Sequence, residues 1–183
     1  MDDNQRLNRI ICDCKRGDHD GFSQIVELYA ARLYGYFYRL SGNAETSNDL
    51  LSEVFLRLVE KIGTYSSGAF DMWLFKIAAN IFYDHLRQQQ RQKKLLSSHR
   101  QMLEDEMAEG RRSDDGAIDM LQGGLGRLDE QTRELIVLRY YSDLSFKEIA
   151  QMRGEPIGTV LSKVHRGLAK LRELMEQQYE KRN

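Results

Sequence analysis

The residues best equipped for chemistry lie between positions 73 and 94. Trp73, Lys76, Asn80, Asp84 and Arg87 recur at spacings of 3, 4, 4 and 3, so on a helix they share one stripe. "RQQQRQKK" extends it with Arg91, Lys93 and Lys94. An aromatic that can stack on an unpaired base, beside cations that hold phosphates, is the chemistry of a single-strand nucleic-acid platform. A boundary tryptophan beside a solvated charge run would show the same spacing. A second constellation is Asp49 and Glu53, two acids at i, i+4 that cannot neutralise each other, next to Phe55 and Leu56. Exposed apolar groups ringed by charge suit a protein partner, although spacing alone favours a solvated helix face.

The third constellation is "SFKEIAQMRGEPIGTVLSKVHRG", residues 145–167. Ser145 can cap a helix over 146–152, and Glu148 three residues on completes a capping box. Gly154 suits a turn with positive φ, and Pro156 the start of the next helix. There Ile157, Val160, Val164, Leu168 and Leu171 are expected to face inward. Thr159, Ser162, Lys163, Arg166 and Lys170 take the other side. Short hydroxyls followed by cations suit a helix laid in a major groove. A plain helical hairpin is the bland alternative; length, caps, turn and polar-face chemistry together favour DNA.

These motifs need helices to carry them. "FSQIVELYAARLYGYFYRL" lines up Phe22, Ile25, Tyr29, Leu33, Tyr36 and Leu40, and "SNDLLSEVFLRLVEKI" lines up Leu51, Val54, Leu58 and Ile62 behind Ser/Asn/Asp capping candidates. "GTYSSGAF" is a Gly/Ser loop, and Asp71 is a candidate N-cap for the long helix that follows. "LDEQTRELIVLRYYSDL" supplies Leu135, Leu138 and Tyr141 as packing. Between the blocks, residues 102–120 carry seven acids against Arg111 and Arg112, the composition of a linker ordered at most in part.

The chain has 183 residues, 41% apolar and 30% charged, one proline and a net charge of −1. Helix formers dominate, so the expected fold class is all-α. A near-zero net charge means that DNA binding must come from local charge segregation. Cys12 and Cys14 fall on different sides of a helix and no second ligand pair follows, so no metal site or cofactor is expected. No apolar run reaches transmembrane length and no apolar leader precedes the cysteines, so a cytoplasmic chain is expected.

Taken together, these segments resemble the bacterial RNA polymerase sigma factors of the sigma-70 family, extracytoplasmic-function group. "NDLLSEVFLRL" looks like the D-L-x-Q-E-x-F-L segment of that family. "FDMWLFKIAANIFYDHLR" looks like its W-L-x-x-I-A-x-N-x-x-x-D-x-x-R segment. "LDEQTRELIVLRYYSDLSFKEIA" and "PIGTVLSKVHRGLAKLR" look like its region 4 signature. The likeness covers roughly residues 20–91 and 125–175. It implies two small helical domains joined by a flexible acidic linker: 5–94 as the promoter-melting region 2, 95–124 as linker, and 125–177 as the helix-turn-helix region 4.

The resemblance also assigns roles. Asp49, Ser52, Glu53 and Phe55 would dock the clamp helices of the polymerase largest subunit, with the flap as a further polymerase contact. Tyr65, Phe70, Trp73, Lys76, Asn80 and Arg87 would open and hold the −10 element as a single strand. Ser145, Thr159, Ser162, Lys163 and Arg166 would meet the −35 duplex. An anti-sigma protein would hold the chain inactive, and the chemistry of transcription would belong to the polymerase. The sequence departs from the family pattern at Ser52 (usually Gln), Ala79 (commonly Arg), Leu161 (frequently Lys or Arg), and Arg153 and Glu155 (usually apolar). Two other readings remain: a helix-turn-helix regulator with an N-terminal sensing domain, and a helical adaptor that binds only protein.

Overall fold

The computed structural model describes residues 3–99 and 116–182. Among these the chain forms eight α-helices, one 3-10 turn and no strand. The N-terminal half holds α1 (Asp3–Lys15), α2 (His19–Ser41), α3 (Ala44–Lys61), the 3-10 turn Ile62–Thr64 and α4 (Phe70–His99). The C-terminal half holds α5 (Gly116–Gly126), α6 (Glu130–Tyr140), α7 (Phe146–Arg153) and α8 (Ile157–Arg182). The segment read as a linker begins at 95 and ends at 124, yet α4 continues to 99 and α5 occupies 116–126. Leu125, at the end of α5, is 2% exposed and belongs to the core. The acid run at 104–115 lies outside the described residues.

In the N-terminal half, α2 is the centre against which α1, α3 and α4 pack. The stripe expected on α2 is the one that is buried: Ile25, Leu33 and Tyr36 have no exposed surface, Tyr29 and Leu40 almost none, and Phe22 is half-buried. Phe37 and Phe75 are fully buried too; each large side chain withdrawn from water contributes roughly 2–3 kcal/mol. On α3 the buried stripe is Leu50, Val54 and Leu58, with Leu51 half-exposed at its edge. Helix α3 also starts earlier than its sequence suggests. Asn43 caps it by accepting from the Thr46 N–H at 2.9 Å, which leaves Ser47 buried and hydrogen-bonded to the Asn43 carbonyl. Asp71 caps nothing. It sits inside the first turn of α4 and accepts from Tyr29 Oη and Arg32.

In the C-terminal half, α8 is the spine for α5, α6 and α7. Ser145 and Glu148 form the expected capping box and Gly154 has φ of 66°, so α7 ends in a turn that a side chain would strain. Pro156 directly precedes α8, where its missing N–H costs nothing.

The two halves are packed together. Helix α2 meets α5 and α6, and α4 meets α7. The C-terminal carbonyls of α2 also accept from across the junction, Tyr38 O in addition to its own C-cap Gly42 N–H at 2.9 Å. Gln122 donates to Tyr38 O at 3.0 Å and Arg133 to Leu40 O at 2.6 Å.

Candidate nucleic-acid interface

The α4 stripe emerges largely as spacing predicts. Lys76, Asn80, Asp84 and Arg87 are exposed and Trp73 is half-buried. The Arg87 guanidinium is paired with Asp84 three residues back. Tyr65 and Phe70, expected to touch DNA, are core residues at 7% and 3% exposure that also line a cleft. The Gly/Ser loop folds back on the first turn of α4, so Tyr65 Oη donates to Gly68 O at 2.6 Å. Its ring meets Phe70 edge-on, with centroids 5.4 Å apart, and Trp73 at 5.4 Å. Burial also pushes the Tyr65 phenol above its ordinary pKa. The cluster thus forms a rigid wall. A cleft of about 410 Å³ opens beside it, bounded by Leu7, Tyr65, Gly68 and Asp71 and closed on one side by Glu148 of α7.

On α3, Asp49, Ser52 and Glu53 are exposed, and Phe55 is half-buried against the core. Two apolar residues dominate this face: Leu56, noted beside the acids in the sequence, at 67% exposure, and Val59, which was passed over, at 55%. Positions 49, 52, 53, 56 and 59 or 60 follow helical spacing, so the acids and these apolar side chains make one surface. Arg57 ties it at the rim, 3.1 Å from Glu60 and 3.9 Å from Glu53. Ser52 spends its hydroxyl proton on Asn48 O at 2.9 Å.

The first turns of α8 point into solvent. Thr159, Ser162 and Arg166 are exposed. Ser162 Oγ donates to Gly158 O at 2.8 Å, and Arg166 Nε donates to Ser162 O at 3.3 Å, leaving the outer edge of the guanidinium. Lys163 is half-buried and its Nζ sits 2.7 Å from Glu155 Oε2. That hydrogen bond, with the charges of Lys163 and Arg153, holds the Glu155 carboxyl below its usual value. Ser145 is occupied as a cap, its hydroxyl and N–H both engaged with Glu148. Ile157, expected to face inward, is 47% exposed, because it opens the helix before the first buried contact at Val160.

A cluster that spacing did not reveal lies between the halves. Glu134 of α6 has no exposed surface. Its carboxylate accepts from Tyr36 Oη of α2 at 3.0 Å and Tyr83 Oη of α4 at 2.7 Å, and pairs with Arg153 of α7 at 2.8 Å. Burial pushes the Glu134 carboxyl up, against the pull of its three partners. Burial and then the Glu134 charge push Tyr83 up to about 12. Arg153 also reaches Glu155 at 3.7 Å and lies over the Tyr83 ring. The two charged residues flanking Gly154 are therefore anchored by partners. The only local hint was an acid inside the apolar run "ELIVL", with no sign of which tyrosines would meet it.

Sigma-70 region 2 matches residues 25–92, and Sigma-70 region 4 matches residues 124–173. The chain belongs to the sigma-70 family of RNA polymerase sigma factors. Its relatives place it in the extracytoplasmic-function group. It is 29% identical over 181 residues to the ECF RNA polymerase sigma factor SigW of Bacillus subtilis, covering 91% of this chain and 95% of that one. It is 34% identical to the RNA polymerase sigma factor CarQ of Myxococcus xanthus, covering 87% and 91%. Among solved structures it resembles the sigma factor RpoE of Bartonella quintana, crystallised with the anti-sigma factor NepR. That match has a TM-score of 0.70 at 25% identity, over 85% of this chain and 96% of that one. In this sigma factor, region 2 carries the α3 face and the α4 stripe, region 4 carries α8, and Glu134 joins them. Cys14 is buried, which pushes its thiol up to about 11, whereas Cys12 is exposed. No group of metal-ligating side chains occurs among the described residues, and no helix there is long and apolar enough to cross a membrane.

Proposed function

We propose that this chain is the dissociable, non-enzymatic subunit that gives core RNA polymerase its promoter specificity in the cytoplasm. The observation that carries this reading is the presence, on one chain, of three outward faces of different chemistry. The Leu56–Val59 face with Asp49, Ser52 and Glu53 suits a protein partner, the polymerase clamp helices. The half-buried Trp73 with exposed Lys76, Asn80 and Arg87 suits a melted −10 strand. Thr159, Ser162 and Arg166 at the start of α8 suit a −35 duplex, with Lys163 joining them once released from Glu155. A regulator with a sensing domain needs the third face only. In this assignment Ser145 supports the interface as a cap, and Tyr65 and Phe70 form part of the wall of the cleft that receives an extruded base.

Elements near −10 and −35 lie about 25 base pairs apart, roughly 85 Å along B-DNA. Halves joined by a 3.0 Å hydrogen bond between Tyr36 and Glu134 cannot reach both. Glu148 beside the Tyr65 cleft would also repel a phosphate chain. The compact arrangement is therefore a holding form that opens on polymerase, and an anti-sigma partner is the kind of protein that would stabilise it. Mixing the chain with core polymerase and a promoter library tests the reading. Stable holoenzyme with promoter-specific transcripts supports it; no holoenzyme and no specific transcript sinks it. Purification from the native host under non-inducing conditions tests the regulator: recovery of polymerase subunits alone would remove the anti-sigma component.

A further inference from the structure

The first two turns of α8 expose carbon where polar readers were expected. Ile157 and Leu161 are 47% and 43% exposed. Lying four residues apart, they share one stripe that His165 continues. Between them stands Gly158, whose missing side chain has no internal explanation. A Cβ built there meets nothing within 4 Å, and its backbone is ordinary helix. A glycine inside a helix costs up to about 1 kcal/mol relative to alanine, and an open notch of this kind admits close approach by another molecule. The polar groups nearby are partly spent inside the protein, Ser162 on Gly158 O and Lys163 on Glu155. The exposed Arg166 further along the same helix, with only its Nε returned to Ser162 O, calls for a polyanion beside the apolar stripe, which favours duplex DNA over a protein ligand. In the major groove the one base-edge feature that matches an aliphatic side chain is the C5-methyl of thymine.

We propose that Ile157 and Leu161 are specificity-determining residues that read thymine methyl groups in the duplex promoter element, and that Gly158 lets the N-terminal end of α8 approach the base edges closely. The inference rests on the reading of α8 as the duplex-binding helix. It also assigns a purpose to the apolar residue at 161, where a basic one is frequent in the family.

The test uses the full chain assembled with core RNA polymerase and a promoter pool randomised across the upstream element. Enriched duplexes are resynthesised with each thymine replaced in turn by deoxyuridine, which removes only the methyl group. Deoxyuridine at one or two positions should weaken binding about fourfold, matching the ~0.8 kcal/mol of one buried carbon group. Leu161→Ala or Ile157→Ala should abolish that sensitivity at its own position. Gly158→Ala should leave the thermal midpoint unchanged or raised while weakening the enriched duplex at least tenfold, opposite signs that a purely structural glycine would not give. Enriched sites that tolerate deoxyuridine everywhere, or enrichment without thymine, overturn the inference and leave the duplex-reading helix standing. No enrichment at all removes both.

Discussion

Region 4 turns two faces of opposite character to its surroundings, and Arg153 and Arg166 illustrate the difference. Arg153 is 17% exposed by side chain, fixed between Glu134, Glu155 and the Tyr83 ring. Arg166, on the far side of the same helix-turn-helix, is exposed, with only Nε returned to its own helix. A charge taken out of water has to meet partners in one geometry or it costs several kcal/mol, so the buried face specifies how the halves fit. A charge left in water costs little and stays available to a phosphate. Equal residue types thus serve two ends, and burial decides which.

The sharpest way to break that contrast is Glu134→Ala. It strands Tyr36 Oη, Tyr83 Oη and Arg153 without their acceptor, and breaking such a buried pair costs about 3–5 kcal/mol. Chemical denaturation should show that loss, and small-angle scattering should show the halves separating. A variant as stable and compact as the parent would mean that the junction does not hold the halves. Glu134→Gln sharpens the same point through pH. Burial lifts the Glu134 carboxyl above its ordinary 4.5, opposed by Tyr83, Arg153 and Tyr36 and helped slightly by Glu155. Between 4.5 and the raised value the folded chain keeps a proton that the unfolded chain has released. This contribution is fully present below pH 4.5 and is lost as pH rises through the raised value. Parental stability should therefore fall relative to Glu134→Gln across that window; parallel curves would remove the titration from the account.

Gly35→Ala tests the junction by shape instead of charge. A Cβ at Gly35 would lie 1.9 Å from Tyr141 Oη and 2.3 Å from its ring. The ring cannot simply turn aside, since Arg39 lies 3.6 Å over it and its hydroxyl donates to Ala31 O at 3.3 Å. Overpacking of this kind costs about 1–3 kcal/mol. Thermal unfolding should register it together with loosened halves, whereas Gly167→Ala, which crowds Thr132 and Ile136 within region 4, should destabilise without loosening them.

How much was readable beforehand follows the same division. Much that short-range spacing governs was legible: the α2 stripe, the α7 capping box, the Gly154 turn and the exposed stripe from Lys76 to Arg87. The burial of Tyr65 and Phe70 was not legible because an aromatic in a Gly/Ser loop looks exposed until the loop is known to fold back on α4. Ile157 was placed inward because periodicity ignores the end of a helix, where the first residue has no facing neighbour. Glu134 was invisible because its partners lie 98 and 51 positions away, and nothing local distinguishes a buried acid from a solvated one.

A smaller effect concerns binding without stability. Leu56 is 67% exposed on α3, so Leu56→Ala should change stability by no more than about 0.5 kcal/mol. If that face docks polymerase, the same change should weaken the association at least tenfold, about 1.4 kcal/mol. Sedimentation with core polymerase reads the loss. Unchanged association would return Leu56 to the ordinary scatter of exposed apolar residues and move the docking face elsewhere.

The smallest effect sits where support and contact were hardest to separate. Ser145 looked like a DNA contact in the sequence, and the structure uses its hydroxyl to accept from the Glu148 N–H at 3.2 Å while the Glu148 carboxylate returns to the Ser145 N–H at 2.8 Å. Ser145→Ala should lower stability by about 1 kcal/mol, the usual worth of such a cap. Ser145→Asp, which also caps, should restore stability. The two replacements also differ in what they present to DNA, since a carboxylate beside a phosphate is repelled. If Ser145 only supports the turn, Ser145→Asp should bind the enriched duplex as the parent does at moderate salt. If its hydroxyl instead turns from Glu148 to donate to a backbone phosphate, Ser145→Asp should be stable yet weak, and the weakness should grow as salt is lowered.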